Sequence, residues 1–560
     1  LEMRQGGKIT VENTHKLLEE LGIRCNFAHV KRIFKENDRL KQGKITIEEF
    51  RIIYRSITYR EEILEIFNTY SKNRKILSEK NLTEFLTQEQ YEVIENHSLS
   101  TEIIKKYEPI DEVKNEQQMS FEGFVRYMFS SNCLIFKEDC KAVYQDMNQP
   151  LKDYFISSSH NTYLISDQLL GPSDIWGYIS ALVKGCRCLE IDCWDGAQNE
   201  PIVYHGYTLT SKLLFKTVIQ AINKYAFVTS EYPVVLSLEN HCSPGQQDVI
   251  ADILQSTFGD LLLSDMLDEF SDRLPSPEAL KFKVLVKNKK IGTLLETHER
   301  KGMFKQGQEK ETDLSKLIGG AAAKKKTRKI RLALALSDLV IYTKAEKFRS
   351  FQYSRLYQQF NENNSLGESR ARKLSKLRVH EFIFHTTKFI TRIYPKVTRT
   401  DSSNFNPQEF WNIGCQMVAL NFQTPGLPMD LQNGKFLDNG DSGYLLKPDF
   451  LRDTTLSFNP SEVTGEGHPL TLTIRLISGI QLPFNLFSNK ADVLVIIEVY
   501  GVPSDQVKQQ TRVVKKNGEL FASWEKRIGW CVICRWGWGF LAEHERLPQT
   551  YPLYCEGASL

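Results

Sequence analysis

The feature that most restricts the fold of this chain is a series of short apolar segments, separated by helical stretches, that begins near Leu151. Short segments rich in Val, Ile and Leu are typical of buried parallel strands, and the helices between them supply the crossovers that parallel strands need. This number of strand–helix units suits a closed (β/α) barrel better than an open sheet. The candidate strands are Tyr154–Ser157, Cys188–Trp194, Val234–Glu239, Val284–Lys287, Leu339–Thr343, Ile390–Tyr394 and Met417–Phe422.

A polar segment interrupts this series between about His298 and Arg331. Its last eight residues, KKKTRKIR at 324–331, include six basic side chains. Such a segment cannot contribute to an apolar core, so we expect a mobile insertion that divides the barrel into two halves.

The region before the barrel contains an internal repeat. The hexapeptide GKITVE at 7–12 recurs as GKITIE at 43–48, and both copies lie next to segments with apolar residues at helical spacing. A Gly followed two residues later by Ile is typical of an EF-hand loop and its short strand. In the second loop the acids Asp38 and Glu49 occupy the first and twelfth positions, whereas Leu40 and Gln42 occupy the third and fifth. We therefore predict a helical EF-hand scaffold that does not bind calcium tightly.

After about residue 465 the pattern becomes strand-like. Leu470–Leu476 alternates apolar and polar residues, and Val493–Val499 supplies a second strand, which is typical of a β-sandwich. The alternation is lost from Gly518 onward. We therefore expect only a partial sandwich, with an open strand edge and an uncovered apolar face.

The clearest chemical signal lies in the second candidate strand, where Glu190 and Asp192 are two residues apart. Side chains two apart on a strand point to one face, so these carboxylates would repel each other unless a cation lay between them. Glu239 ends another candidate strand, and Asn161 follows the first. Such hard oxygen ligands suit Ca²⁺ or Mg²⁺, and we predict a calcium site formed by these four residues. The alternative, an acid pair on an exposed edge strand, is disfavoured by the apolar flanks.

Two histidines and several cations accompany the acids. His160 and His205 both lie in loops after candidate strands, at the barrel mouth that carries the acids. Histidines in such a position are typical of proton transfer or phosphate stabilisation. Lys287 and Lys289 are two apart on one predicted strand face, and Arg392 lies on another strand. Together these groups favour phosphoryl transfer on a highly phosphorylated substrate.

Composition excludes several other classes of protein. A length of 560 residues allows roughly three or four domains. Lys and Arg number 72 and Asp and Glu 69, a net charge of +3 that is too balanced for a nucleic-acid-binding polycation. No apolar run reaches the roughly 18 residues of a transmembrane helix. The 11 cysteines are too sparse for a disulfide scaffold and fit reduced thiols in a cytoplasmic protein.

Several of these segments together resemble eukaryotic phosphoinositide-specific phospholipase C. The runs similar to its X box are Ser158–Leu164, Leu189–Gly196, Tyr204–Thr208 and Leu236–His241. The runs similar to its Y box are Ser337–Tyr342 and Thr391–Lys447, which includes Asn421–Gly426. Within the family the basic linker is most similar to the zeta type, which has no N-terminal pleckstrin-homology domain. The implied organisation is an EF-hand region (1–132), X box (133–290), basic linker (291–331), Y box (332–448), partial C2-like domain (449–517) and divergent tail (518–560).

The resemblance implies a role for each candidate residue. The ligands of a catalytic Ca²⁺ would be Asn161, Glu190, Asp192 and Glu239. Glu190 or Glu239 would accept the proton of the inositol 2-hydroxyl, and His160 would stabilise the transition state. His205 would protonate the leaving diacylglycerol oxygen and then activate the water that opens a cyclic phosphodiester. The residues that would hold the phosphorylated inositol are Lys287, Lys289, Ser365, Arg392 and Tyr394.

The implied reaction is calcium-dependent hydrolysis of phosphatidylinositol 4,5-bisphosphate to inositol 1,4,5-trisphosphate and diacylglycerol. It would drive calcium-release signalling and, in the zeta type, egg activation at fertilisation. A catalytically silent phosphoinositide-binding scaffold of the same fold is one alternative, but it would be expected to lose His160 or His205, and both are present. An inactive splice form, caused by the truncated C2-like domain, is the other.

The linker bears on where the chain acts. Each basic residue near an anionic membrane contributes roughly 1 kcal/mol to binding. We therefore expect a cytoplasmic, peripherally bound protein whose partner is a phosphoinositide-containing membrane. A nuclear-import signal read by an import receptor, with a perinuclear or nuclear location, and a solvated charge run stay open as alternatives. The residues concerned are Lys324, Lys325, Lys326, Arg328, Lys329 and Arg331.

Overall fold

The computed structural model describes most of the chain with several gaps. The described residues are 8–21, 27–59, 61–72, 74–90, 92, 98–133, 138–305, 332–455, 458–462, 470–480, 491–517 and 521–532. The six basic linker residues lie outside these ranges, so their contact with a membrane stays a prediction. They are Lys324, Lys325, Lys326, Arg328, Lys329 and Arg331.

Helices joined by short antiparallel strand pairs form the first region. Lys8–Ile9 (β1) pairs with Ile45–Thr46 (β2), and Ile76–Ser78 (β3) pairs with Gln118–Ser120 (β4). The first pair joins the two copies of the hexapeptide repeat, as expected for paired EF-hand loops. The helices of this region are Val11–Glu20, Phe27–Asn37, Ile47–Thr58, Glu61–Tyr70, Glu79–Gln88, Ser98–Tyr107, Asp111–Asn115 and Phe121–Met128.

The two acids of the second EF-hand loop make contacts within the protein. Asp38 accepts the backbone N–H groups of Gln42 at 3.1 Å and Gly43 at 2.7 Å. Glu49 accepts the backbone N–H of Thr46 at 2.8 Å and completes a capping box at the start of the following helix. These carboxylates stabilise the loop and the helix terminus. Weak calcium binding by this loop stays a prediction.

A closed barrel of eight parallel strands forms the centre of the molecule. In chain order, the strands of this region are β5 (Tyr154–Ile156), β6 (Ser158–Ser159), β7 (Cys188–Trp194), β8 (Ile202–Val203), β9 (Leu213–Leu214), β10 (Val234–Asn240), β11 (Val284–Lys287), β12 (Lys344–Glu346), β13 (Glu362–Gly367), β14 (Thr391–Tyr394), β15 (Met417–Leu420) and β16 (Tyr444–Leu446). The barrel order is β11-β10-β7-β6-β15-β14-β13-β12. A parallel bridge between Asn288 and Lys344 joins the two ends of this order. The predicted (β/α) barrel is confirmed.

Helices surround the barrel and cover its outer face. Helix Phe215–Tyr225 shows why: it buries Phe215, Val218, Ile219 and Ile222, which share one helix face at helical spacing. Each such side chain contributes roughly 1.5–3 kcal/mol when fully buried. Among the helices that the structure describes, none has the length and apolar character needed to cross a bilayer. The helices of the barrel region are Ile175–Val183, Phe215–Tyr225, Pro244–Phe258, Leu294–Lys305, Leu334–Asp338, Phe351–Tyr357, Glu368–Leu377, Val379–Thr386, Gln408–Trp411 and Leu427–Phe436.

Two candidate strands were wrongly placed. Tyr154–Ser157 covers β5, but β5 pairs antiparallel with β16, and the first barrel strand is the two-residue β6. Leu339–Thr343 is buried yet forms a turn after a helix, and the strand begins at Lys344. Burial explains both errors, because an apolar run indicates a buried position and leaves its backbone pairing open.

One barrel strand, β13, was missed because it is polar. It contains Asn363, Asn364 and Ser365, so neither face shows an apolar pattern. Hydrogen bonds compensate for the burial of some of these polar groups: Asn364 Nδ2, for example, donates to the carbonyl of Glu346 at 2.9 Å. Ser365 lies on this strand and is paired in register with Arg392.

The last described region contains three antiparallel strand pairs. Its strands are β17 (Leu470–Ile480), β18 (Ala491–Val493), β19 (Ile496–Val499), β20 (Val507–Gln510), β21 (Val514–Asn517) and β22 (Phe521–Val532). β17 pairs with β22, β18 with β21, and β19 with β20. β22 lies in the predicted divergent tail, which shows no alternation, and pairs with β17. Backbone hydrogen bonds hold such a pair and do not require alternating side chains.

Candidate active site

Three carboxylates meet at the carboxyl ends of β7 and β10. The parallel register pairs Glu239 with Asp192 and Ser237 with Glu190, which brings the acids of both strands together. One carboxylate oxygen from each acid lies within 4.8 Å of the others. Glu190 and Asp192 are buried, whereas Glu239 is exposed at the mouth. The structure thus brings together the three acids that the sequence predicted as ligands.

Asp192 shows most clearly that the three acids suit a cation. Its Oδ2 accepts the hydroxyl of Tyr163 at 2.6 Å, while its Oδ1 is buried without a hydrogen-bond partner among the described residues. Burial and the nearby Glu190 and Glu239 carboxylates raise the pKa of Asp192 well above its usual range. An unpartnered buried carboxylate oxygen is costly, and a divalent cation would remove that cost. The residues present therefore fit a metal site.

Glu190 is ionised through its contact with Arg392. The two side chains form a buried ion pair with an N–O distance of 3.0 Å. Burial raises the pKa of Glu190, but attraction to Arg392 and His160 outweighs it and holds the pKa below its ordinary value. The backbone N–H of Asn161 also donates to Glu190 Oε2 at 2.9 Å.

Asn161 presents its amide oxygen as the fourth predicted ligand. The residue has a positive φ of 40°, a conformation that Asn adopts more readily than most residues. Its Nδ2 donates to Gln168 Oε1 at 2.7 Å. Since the amide nitrogen is used in this way, Oδ1 is the atom left for a cation.

His160 follows β6 and is oriented by a residue of the second half of the barrel. Its Nδ1 lies 2.8 Å from Asn421 Oδ1. Asn421 Nδ2 donates to the Ser403 carbonyl at 3.3 Å, so Oδ1 accepts the imidazole N–H and leaves Nε2 for a substrate. Burial lowers the pKa of His160, although the nearby Glu190 carboxylate opposes this shift.

His205 follows β8 and is oriented in a similar way. Its Nδ1 lies 2.7 Å from the backbone carbonyl oxygen of Gln168. A carbonyl oxygen can only accept, so Nδ1 carries the proton and Nε2 is the nitrogen left for a substrate. Both predicted histidines therefore present the same ring atom, and both depend on neighbours that the sequence pattern did not reveal.

The predicted cations divide into buried and exposed groups. Lys287 ends β11, donates from Nζ to Ser237 Oγ at 3.2 Å, and has a pKa that burial and Arg392 lower to about 8. Tyr394 lies beside Gly367, where an added Cβ would be 3.6 Å from its ring. Lys289 lies beyond the end of β11 and is exposed. That the two lysines share a strand face stays a prediction.

An exposed apolar rim lies beside the histidines and was not foreseen. Leu169 and Leu170 follow Gln168, and Tyr207 and Leu209 follow His205. Tyr207 is 95% exposed and Leu209 is 81% exposed. The Leu209 N–H donates to the Leu169 carbonyl at 2.9 Å, which joins the two loops. A contiguous exposed apolar patch is typical of a surface that contacts a partner or a membrane.

Comparison with known families matches the second part of the helical region and both halves of the barrel. Residues 147–290 match the X domain of phosphatidylinositol-specific phospholipase C, and 336–450 match its Y domain. Residues 53–138 match the EF-hand-like domain of phosphoinositide-specific phospholipase C. These matches do not fix the limits proposed from the sequence, which stay predictions.

Similar proteins span nearly the whole chain. Over 98% of its length it is 74% identical to 1-phosphatidylinositol 4,5-bisphosphate phosphodiesterase zeta-1 of Mus musculus and 72% identical to that of Homo sapiens, covering 92% and 93% of those proteins. The crystal structure of L. pealei PLC21 is 33% identical, with a TM-score of 0.74 over 94% of this chain and 68% of that chain. The chain belongs to the eukaryotic phosphoinositide-specific phospholipase C family.

Proposed function

We propose that this enzyme hydrolyses phosphatidylinositol 4,5-bisphosphate to inositol 1,4,5-trisphosphate and diacylglycerol and requires calcium. Relatives that are 70–74% identical carry the name of the corresponding phosphodiesterase. The observation that carries the proposal is the cluster of Glu190, Asp192 and Glu239 with an unpartnered Asp192 oxygen. Such a cluster beside two histidines suits metal-assisted attack on a phosphate ester.

The ligands of the calcium ion would be Asn161, Glu190, Asp192 and Glu239. All four offer hard oxygen atoms, as Ca²⁺ prefers. Bound there, the ion would lower the pKa of the inositol 2-hydroxyl and neutralise charge on the phosphate. Glu190, held ionised by Arg392, or the exposed Glu239 would accept the proton of that hydroxyl.

The inositol 2-oxygen then attacks phosphorus, and the bond to the diacylglycerol oxygen breaks, which gives a cyclic phosphodiester. His160 would donate from Nε2 to a phosphate oxygen. Burial lowers the pKa of His160 in the free site, but an anionic phosphate beside the ring favours its protonated form. The Asn421 contact would keep Nε2 directed at the substrate.

His205 would serve as acid and then as base. In the first step the doubly protonated ring gives its Nε2 proton to the leaving diacylglycerol oxygen. In the second step Nε2 takes a proton from the water that opens the cyclic product, while Glu190 or Glu239 returns its proton to the inositol 2-oxygen, so that both residues regain their starting state. The hydrogen bond from Nδ1 to the Gln168 carbonyl would hold the ring in place during both steps.

Specificity for a phosphorylated inositol would come from the cations around the mouth. The residues proposed to hold the 4- and 5-phosphates and the ring are Lys287, Lys289, Ser365, Arg392 and Tyr394. Lys287 and Arg392 support this role because they are buried, positively charged and close to the acid cluster. Ser365 is paired with Arg392 across β13 and β14, so it lies beside the same cation.

The enzyme would act at a membrane surface without spanning it. The exposed rim of Leu169, Leu170, Tyr207 and Leu209 supports this, because apolar side chains at the mouth can enter the lipid interface. The basic linker would add electrostatic attraction to anionic lipids in the cytoplasm, with nuclear import as its other interpretation. Product release would drive calcium-release signalling and, as for the zeta type, egg activation.

A hydrolysis assay tests the proposal. The full chain is mixed with phosphatidylcholine vesicles that contain the bisphosphate lipid, across a calcium titration buffered with a chelator. We expect cyclic and acyclic inositol trisphosphate to form only with calcium, and Asp192→Asn to form neither. Hydrolysis that persists in chelator would contradict the calcium site. Vesicle binding without product would show the silent scaffold instead.

A further inference from the structure

We infer that Gln168 is a positioning residue that fixes the orientation of one calcium ligand and of both catalytic histidines. The inference rests on the proposed calcium site and extends it to a residue in the loop after β6. Gln168 does not face the proposed substrate atoms directly. It acts through Asn161, Asn421 and its own carbonyl group.

The side chain of Gln168 is 6% exposed and uses both ends of its amide. Oε1 accepts from Asn161 Nδ2 at 2.7 Å. Nε2 donates to Ser402 Oγ at 2.8 Å and lies 3.4 Å from Asn421 Oδ1. The backbone carbonyl accepts from His205 Nδ1 at 2.7 Å. Gln168 therefore contacts Asn161 and His205 directly and reaches His160 through Asn421.

The acceptor end of Gln168 decides which way the Asn161 amide points. An Asn side chain can rotate so that its oxygen and nitrogen exchange places, and only one arrangement offers an oxygen to a cation. With Gln168 Oε1 as partner, the nitrogen of Asn161 is the atom that forms the 2.7 Å contact. The rotated amide would place two oxygens against each other. Gln168 thus removes the arrangement that cannot bind calcium.

The donor end has the same effect on Asn421. Gln168 Nε2 faces Asn421 Oδ1, so a rotated Asn421 would place two donor groups against each other. With Oδ1 held in this direction, it accepts from His160 Nδ1 at 2.8 Å. His160 is therefore held as the tautomer that leaves Nε2 for the substrate.

Gln168 also connects the two halves of the barrel, which the basic linker separates in the sequence. Ser402 and Asn421 belong to the second half, whereas Asn161 and His205 belong to the first. Ser402 Oγ donates in turn to the Ser166 carbonyl at 2.7 Å, which holds the loop that carries Gln168. One buried amide thereby holds the catalytic groups of the first half against Ser402 and Asn421 of the second.

Two substitutions separate the two ends of the amide. Gln168→Glu keeps an acceptor for Asn161 but replaces the donor that faces Asn421. Gln168→Met has a side chain of similar length and loses both the acceptor and the donor. We expect Gln168→Glu to bind calcium within about threefold of the wild type while kcat falls at least tenfold. For Gln168→Met we expect calcium affinity to fall about 10–100-fold, as for other residues that orient a metal ligand.

A rescue experiment separates positioning from a merely structural role. An Asp at position 161 offers oxygen at both ends, so it needs no partner to orient it. In the Asn161→Asp background, Gln168→Met should therefore cost less than about threefold in calcium affinity. Loss of general packing would cost the same in either background.

The readouts are calcium affinity by calorimetry on the full chain, kcat and KM on bisphosphate vesicles, and the melting temperature in chelator. Asp192→Asn, which lacks one of the proposed calcium ligands, is the reference for loss of the site. If Asp192→Asn binds calcium like the wild type, the proposed site itself is wrong. If Asp192→Asn loses binding while Gln168→Met keeps wild-type affinity, only the Gln168 inference is overturned. A Gln168→Met loss that persists undiminished in the Asn161→Asp background would also overturn it. If Gln168→Met does not fold, wild-type kcat in Gln168→Glu would refute the inference.

Discussion

Asp192→Asn should separate the calcium dependence of this enzyme from the stability of its barrel. Asp192 is 4% exposed, and only one of its oxygens has a partner among the described residues. An Asn at this position has nearly the same shape. Its carbonyl oxygen can still accept the Tyr163 hydroxyl that Asp192 accepts at 2.6 Å.

The expected magnitude follows from the spacing of the acids. Carboxylate oxygens of Glu190, Asp192 and Glu239 lie within 4.8 Å of one another. At that distance two full charges repel by roughly 3.5 kcal/mol with an effective dielectric constant of about 20. Burial and this repulsion raise the pKa of Asp192 and disfavour its charged form without a cation, so exchange for the neutral Asn should not lower the stability of the calcium-free protein.

Calcium should stabilise the wild type and leave the variant unchanged. A ligand present at about 100 times its Kd adds roughly 2.7 kcal/mol to the stability of the folded state. For a barrel larger than about 250 residues that corresponds to a rise in Tm of roughly 4–5 °C. Asp192→Asn should lose this rise while its Tm in chelator equals or exceeds that of the wild type.

Differential scanning calorimetry in chelator and in calcium measures both quantities. Asp195→Asn is the matched control, because Asp195 lies exposed in the loop after β7 and its contacts to Ser243 can be made by an amide oxygen. The control should keep the full calcium response. A calcium-dependent rise in Asp192→Asn as large as in the wild type would refute the reasoning and place the responsive site elsewhere.

Three further predictions follow from other parts of the chain. His205→Ala should reduce product formation about 10²–10⁴-fold with vesicle binding unchanged, since general acid–base catalysis contributes that much; more than about a tenth of the wild-type rate would contradict the role. Burial lowers the pKa of His385 to about 3, and its ring nitrogens have no partner among the described residues. Below about pH 6.5 the unfolded chain therefore takes up a proton at His385, whereas the folded chain does not. Between pH 7.5 and 5.5 the free energy of unfolding, measured in urea, should fall by about 1.4 kcal/mol more in the wild type than in His385→Leu. Equal decreases would contradict this. Alanine at four linker lysines should weaken co-sedimentation with anionic vesicles at low salt and leave turnover of a soluble substrate unchanged, and undiminished vesicle binding would leave the linker as an import signal or a spacer. Those lysines are Lys324, Lys325, Lys326 and Lys329.

The barrel could be predicted where its strands are buried and carry at least one apolar face. The strands β7, β10, β11 and β15 are buried throughout or nearly so, and their short apolar runs predict this burial. β6 and β13 could not be found in this way. β6 contains only Ser158 and Ser159, and β13 is mostly polar, so backbone pairing with neighbouring strands decides their structure.

The candidate site could likewise be predicted only in part. Glu190 and Asp192 could be predicted because a spacing of two on a strand fixes their common direction. Gln168 could not, because a polar residue in a loop gives no signal of its own. Its role depends on distances to Ser402 and Asn421, more than 230 residues away along the chain, which only the closed barrel defines.

The position of β6 between β7 and β15 has a consequence for how the enzyme is made. Ser158 pairs with Ala419 and Ser159 with Leu420. The first barrel strand therefore cannot complete its pairing until the last one has been synthesised. At about 5–20 residues per second, ribosomal synthesis separates these strands by roughly 13–50 seconds. During that interval one edge of the growing sheet has no neighbour, and the short length of β6 limits what could pair with it wrongly. His160 meets Asn421 across the same junction, so a nascent chain gains its catalytic arrangement only when synthesis of the barrel is complete.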